Sequence, residues 1–209
     1  MSFEFADVSL SGWVLAGALV ALGAVLLVIA RGRVRWTARM IANAALCLAL
    51  AFVLSYIKLF DLPQGGAVTA ASLLPIVAFA YSYGLAPGLV VGVAYGLLQM
   101  IQDPWIVTPV QAILDYPLAF ACIALAAAAR KLPDSWGWLA GMALAAVGRF
   151  ACHTFTGVVF FAEYAEGTGL SPFVYSVSYN SFVFVDMAIC AVVMAFPQVR
   201  RALRRMTER

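Results

Sequence analysis

Seven apolar runs, near residues 13–30, 38–59, 68–84, 86–101, 113–130, 136–160 and 179–196, take up most of this 209-residue chain, each about as long as a bilayer core is thick. In hydrocarbon every backbone N–H and C=O has to be satisfied within the protein, so such runs fold as helices. Hydrophobic residues make up 65% of the sequence and charged ones 11%, with a mean hydropathy of +0.96, leaving little chain for a soluble or catalytic domain. The expectation is an all-α integral membrane protein with one membrane domain. The run Trp13 to Ala30 is read as a retained span: it follows Glu4 and Asp7 rather than Lys or Arg, exceeds a signal-peptide core and lacks a small-residue cleavage motif.

The formal charge of +3 matters less than its placement. With the N-terminus outside, Arg31, Arg33, Arg35 and Arg39 share one cytoplasmic loop, Arg130 and Lys131 another, and Arg200, Arg201, Arg204, Arg205 and Arg209 a cytoplasmic C-terminus. This positive-inside bias describes a membrane protein, not a nucleic-acid surface, and the basic segments face anionic membrane lipid. The segments on the other side, 60–67, 102–112 and 161–178, are rich in Gly, Pro, aromatic and acidic residues and are placed to cover an external pocket. Tyr83 to Gly88 reads as a hairpin turn, and Pro104 and Pro109 bracket a short loop. Cys47, Cys122, Cys152 and Cys190 lack metal or CxxC spacing and read as free thiols.

Ionisable groups inside a membrane are costly, and this chain places Arg149, His153 and Asp186 there. Arg149, His153, Gly157 and Phe161 recur every four residues, along one helical face. Gly157 leaves room for a ligand or a neighbouring helix, His153 can donate or accept, and Phe161 offers a ring for stacking. Asp186 is placed to neutralise Arg149 if their helices pack. Asp115 and Tyr116, at the external start of the fifth run, fit two readings: a helix cap, or recognition of a cation with an aromatic face. Tyr175 to Asn180 concentrates hydrogen-bonding groups where the last run begins, and Trp105 serves equally as interfacial anchor or ligand contact. Ala45 and Ala49 form a small-xxx-small face for helix packing or for a partner subunit.

In order and spacing, Leu62-Pro63-Gln64-Gly65-Gly66, Pro109-Val110-Gln111 through Leu114-Asp115-Tyr116, Gly148-Arg149 through His153 with Gly157, and Tyr175 through Tyr179-Asn180 resemble the thiamine-specific substrate-binding (S) subunits of energy-coupling-factor (ECF) transporters, the ThiT/YuaJ family. The resemblance runs from about Arg39 to Phe196. It implies a six-helix vitamin-binding bundle over residues 37–198, preceded here by an extra transmembrane helix and basic loop (1–36) and followed by a basic tail (199–209). It places Asp115, Tyr116, Arg149, His153, Gly157, Phe161, Tyr175 and Asn180, with Trp105 and Tyr95, at thiamine-binding positions. Some members carry Glu, Lys and Trp where this chain has Asp115, Arg149 and Phe161. It further implies an ABC-type importer in which a transmembrane coupling subunit meets Ala45 and Ala49 and two cytoplasmic ATPases supply energy. This chain has no P-loop, and no cofactor, metal or catalytic residue is expected. Arg149 is expected to orient Asp115 or another polar neighbour rather than touch a cationic ligand. Rival readings are a self-sufficient cation-coupled transporter, an S subunit for a thiamine precursor or phosphate, and an intramembrane enzyme using His153 and an Asp as acid and base.

Overall fold

The computed structural model describes residues 9–133 and 136–207; Glu4, Asp7 and Arg209 lie outside them. Helix α1 (Leu10–Arg33) is capped by Ser9 and α2 (Ala38–Ser55) by Thr37, whose hydroxyl accepts from Met40 N at 3.2 Å. A two-stranded antiparallel hairpin, β1 (Lys58–Asp61) and β2 (Ala67–Thr69), follows. Then come α3 (Leu74–Tyr83), α4 (Leu85–Gln102), α5 (Pro109–Lys131), α6 (Gly137–Phe160), α7 (Pro172–Ala195) and α8 (Pro197–Thr207). Six of these, α1, α2, α4, α5, α6 and α7, are long and apolar enough to cross a membrane, and α3 is a shorter apolar helix.

Where the helices depart from the hydropathy runs, local hydrogen bonding overrides apolarity. The run at 68–84 becomes helix only from Leu74: β2 occupies its start, Thr69 and Ser72 hydroxyls bond each other at 2.7 Å, and Ala71 turns the chain at φ 60°. The run at 38–59 stops at Ser55, where Ile57 N closes on Leu54 O at 3.0 Å and the chain enters β1. The last helix starts earlier than expected, at Pro172, because Ser171 caps it and proline suits a first helical position. Gly84, at φ 102°, makes the tight junction between α3 and α4.

Without a hydrophobic drive between helices in lipid, small residues that let backbones meet hold the bundle together. The stripe Gly88, Gly92, Gly96 on α4 does this. A Cβ at Gly92 would lie 2.5 Å from Phe120 O, and one at Gly96 2.5 Å from Tyr116 O, so α4 rests on the backbone of α5. Helix α1 packs along α4 and α5: Ala16 is fully buried with Leu114 and Phe160, and Trp13 meets Phe160 edge-on at 5.5 Å. The alternating helices put the hairpin, the loop before α5 and the segment before α7 at one end. Basic residues gather at the other, where Arg130 Nη2 donates to Ser82 O at 3.4 Å and Arg200 lies 4.6 Å over the Trp138 ring. There α8 docks on the core through Val199 and Met206, and Tyr83 donates to Met206 O at 2.9 Å. All four cysteines are free thiols.

Candidate functional site

Helix α5 does not run as a regular α-helix. Thr108 caps it by accepting from Gln111 N at 3.1 Å and Pro109 opens it, but residues Leu114–Leu118 form a wider π-helical turn. Pro117 lies inside that turn and has no N–H for the regular ladder, while the turn's backbone presses on Gly96 of α4. Asp115 therefore sits more than a turn inside the helix, and the capping reading of this residue is overturned because Thr108 holds the cap. Its carboxylate takes Gln111 Nε2 on Oδ2 at 2.6 Å, and on Oδ1 His153 Nδ1 at 3.0 Å and the Thr156 hydroxyl at 2.5 Å. Tyr116 donates to Asp103 O at 3.0 Å and accepts from Trp105 N at 2.6 Å, tying the loop before α5 to the turn.

The four-residue stripe on α6 lies along the cavity as its spacing suggests. It begins at Arg149, which is buried; its Nη1 lies 3.4 Å from Asp186 Oδ2, and its guanidinium sits 4.6 Å over the Phe120 ring. Asp186 Oδ1 accepts from both Thr69 N and Thr69 Oγ1 at 3.0 Å, so the pair anchors the hairpin to α6 and α7. The ion pair expected from Asp186 is present; Asp115, by contrast, is oriented by Gln111, His153 and Thr156 rather than by Arg149. One turn on, His153 gives Nδ1 to Asp115 and leaves Nε2 buried without a hydrogen-bond partner among the described residues. Gly157 faces Ser176, whose Oγ any Cβ would strike. Phe161, just past the end of α6, stacks on Tyr164 with ring centroids 5.7 Å apart.

These residues enclose a cavity with about 140 Å³ open to the centre of a water molecule. From α7, Tyr175 and Tyr179 add a second pair of near-parallel rings, 6.4 Å apart. Asn180 is buried, spending Nδ2 on the carbonyls of Ser176 at 2.9 Å and His153 at 3.2 Å; its Oδ1 has no hydrogen-bond partner among the described residues. Tyr95 lines the cavity but is fully buried, with its hydroxyl on Ala51 O at 3.3 Å. Trp105, partly exposed, closes against the hairpin at Gly65, where the φ of 83° and the 2.8 Å at which a Cβ would meet Trp105 Cβ leave no room for a side chain. The hairpin is held over the cavity by Gln64 Nε2 donating to Tyr175 at 3.1 Å and Tyr179 donating to Pro63 O. At the rim Lys58 bonds Asp103 at 2.6 Å and Asp61 at 3.0 Å, and these carboxylates raise its pKa above the ordinary lysine value.

All ten residues singled out for ligand contact thus line one cavity. Gln111 and Gln64 fall within motifs noted in the sequence, yet nothing there signalled their roles; Thr156, three residues after His153, carried no signal beyond its spacing. Ala45 and Ala49 lie elsewhere, exposed on α2.

The profile of the family described as "Thiamine transporter protein (Thia_YuaJ)" matches residues 41–205. This chain belongs to that family. Every cavity-lining residue falls within the match, whereas α1 precedes it. Family relatives include the "Thiamine transporter ThiT" of Bacillus subtilis (strain 168), 30% identical over 178 residues, covering 76% of this chain and 92% of that protein. The "Thiamine transporter ThiT" of Lacticaseibacillus paracasei is 29% identical over 159 residues, covering 67% and 76% respectively. The fold matches the solved structure of ThiT from Listeria monocytogenes with a TM-score of 0.64 at 25% identity, covering 77% of this chain and 96% of that one. Members of the Thia_YuaJ family are transporters, not enzymes, and this chain is a multi-pass, all-α membrane protein of that kind, with one small hairpin added.

Proposed function

We propose that this protein captures thiamine in the cavity beneath the hairpin, as the substrate-binding subunit of an energy-coupling-factor importer. One observation carries the reading: Asp115 is a carboxylate at the cavity wall, its side chain only 13% exposed, held by an amide, a hydroxyl and an imidazole, none of them a permanent cation. A carboxylate left unbalanced in a low-dielectric wall favours a cationic guest. Thiamine's thiazolium is a flat cation, and the ring pairs Phe161/Tyr164 and Tyr175/Tyr179, with Trp105 and Tyr116, offer aromatic faces. Its aminopyrimidine carries an amino donor and ring acceptors; His153 Nε2 and Asn180 Oδ1 are the polar atoms left for it, with Tyr175 beside them. Gly157 lets α6 close on Ser176 of α7, which holds Asn180 in place. Arg149 acts through its pair with Asp186, and Tyr95 as packing at the cavity floor.

The end bearing the cavity faces outward and the basic end faces the cytoplasm, so thiamine enters beside Trp105; the positive-inside rule supports this orientation. Residues 37–198 form the vitamin-binding unit, 1–36 an added helix and basic loop, and 199–209 a basic tail. The exposed Ala45 and Ala49 on α2 are the face for a transmembrane coupling subunit, which would link to two ATPases.

Titration calorimetry of the purified protein with thiamine, alongside Asp115→Ala and His153→Ala, tests the binding reading. Tight binding by the wild type that is lost in both folded variants supports it; a folded wild type that takes no thiamine sinks it. Uptake by vesicles containing this protein without ATPase subunits would contradict the importer reading.

A further inference from the structure

The ligand-contact residues assigned above lie on α5, α6 and α7, in the loop before α5 and just past α6, and they leave another polar part of the same cavity wall without a role. Ser55 at the end of α2, 2% exposed, and Gln99 and Gln102 near the end of α4 all line the cavity. They bond one another: Gln99 Nε2 donates to Ser55 Oγ at 3.0 Å and to Gln102 Oε1 at 3.1 Å, and Ser55 Oγ lies 2.8 Å from Gln102 Oε1. This arrangement uses both amide hydrogens of Gln99 and the carbonyl of Gln102. It leaves Gln99 Oε1 as an acceptor and Gln102 Nε2 as a donor without hydrogen-bond partners among the described residues. Both glutamines are half-buried and line the cavity, so a ligand group that reaches this pair of atoms bonds to them in place of water.

Complementary chemistry is a group that donates and accepts at one atom and carries no charge, which is an alcohol. An anionic phosphate fits poorly. The trio has no cation to offer, and the nearby Lys58 ammonium is already shared between Asp61 and Asp103, leaving the rim net negative. We propose that Ser55, Gln99 and Gln102 form a second polar subsite that receives an alcohol hydroxyl of the ligand. Resting on the thiamine reading, that group is the hydroxyl of the hydroxyethyl arm, with the aminopyrimidine on the wall bearing His153 and Asn180. The cavity then measures its ligand at both polar ends, and α2 and α4 contribute to selectivity as well as to the bundle.

The test is calorimetric binding of thiamine and of its analogue with an ethyl group replacing the hydroxyethyl arm, by the detergent-purified full chain and by Gln99→Met and Gln102→Met. Monodisperse elution and the unfolding midpoint establish that each variant is folded. The wild type is expected to favour thiamine by about tenfold, the worth of one or two neutral hydrogen bonds. Each variant is expected to bring the two ligands within about twofold of each other. A wild type that does not distinguish them, or a preference that survives in both variants, overturns the subsite while leaving thiamine capture standing. Failure of the wild type to bind either ligand removes both readings together.

Discussion

Two carboxylates lie within this membrane bundle, Asp186 on α7, wholly buried, and Asp115 on α5, partly open to the cavity, and their surroundings differ in one decisive respect. Asp186 meets a permanent cation, Arg149, and is locked further by two bonds from Thr69. Asp115 meets Gln111, Thr156 and His153. The first pair is electrically closed and joins hairpin, α6 and α7 into one unit. The second leaves negative charge at the wall of a cavity. Asp186 is almost wholly desolvated and is paired, whereas Asp115 keeps some exposure to the cavity and lacks a permanent cation, so the difference separates a structural use of charge from a use that waits for a ligand.

Breaking the closed pair has the largest expected effect. Asp186→Ala strands the Arg149 guanidinium among apolar neighbours and should cost about 3–5 kcal/mol, read as a fall in the unfolding midpoint of the purified protein. Arg149→Met combined with Asp186→Leu should recover most of that loss, because neither charge is then left alone. Asp115→Asn should leave the midpoint near that of the wild type while weakening thiamine binding about a hundredfold, the order expected for a lost charged contact. The opposite pattern, with stability lost and affinity kept, would exchange the roles of the two carboxylates. Gly157→Ala should weaken binding about tenfold by pushing Ser176 off Thr154 O, which it now bonds at 2.9 Å, and with it the neighbouring Asn180.

The smallest effect belongs to the exposed rim. Lys58→Met should change stability by less than about 1 kcal/mol, since solvent screens such pairs. Because Asp103 and Asp61 raise the folded-state pKa of Lys58, its contribution is present below the ordinary lysine value of 10.5 and fades as pH rises through the raised value. A stability profile of the wild type over pH 7 to 11 that matches the Lys58→Met profile would remove even that contribution.

The difference between the two carboxylates was only half legible in the sequence. Asp186 and Arg149 lie deep within apolar runs, and charges there must pair, so their contact followed from cost alone. Asp115 stood near the start of a run, where a capping role was equally natural. What decided the matter was the length of helix before it, set by Thr108 and Pro109, and the π-helical turn that aims it at His153. A widened turn depends on tertiary contact with Gly96 and on Pro117 together, and hydropathy sees neither. The same limit applies to the third run, whose first residues are apolar enough for helix but are recruited by the hairpin through Thr69 and Ser72. By contrast, the α6 stripe was readable because a four-residue repeat maps directly onto one helical face. The Gly88, Gly92, Gly96 stripe had the same regularity and marks where α4 meets the backbone of α5. The run that forms α1 reads as a span outside the resemblance, and its packing against the Asp115 turn through Ala16 and Leu114 has no sequence signature.

In the proposed function Asp115 supplies an unbalanced charge that selects a cation. This selection is tested most directly by comparing the affinities of thiamine and a neutral isostere, in which a thiophene replaces the thiazolium, for the wild type, Asp115→Asn and Asp186→Asn. The wild type should prefer the cation, and that preference should disappear in Asp115→Asn and persist in Asp186→Asn. A preference that survives in Asp115→Asn would contradict that role.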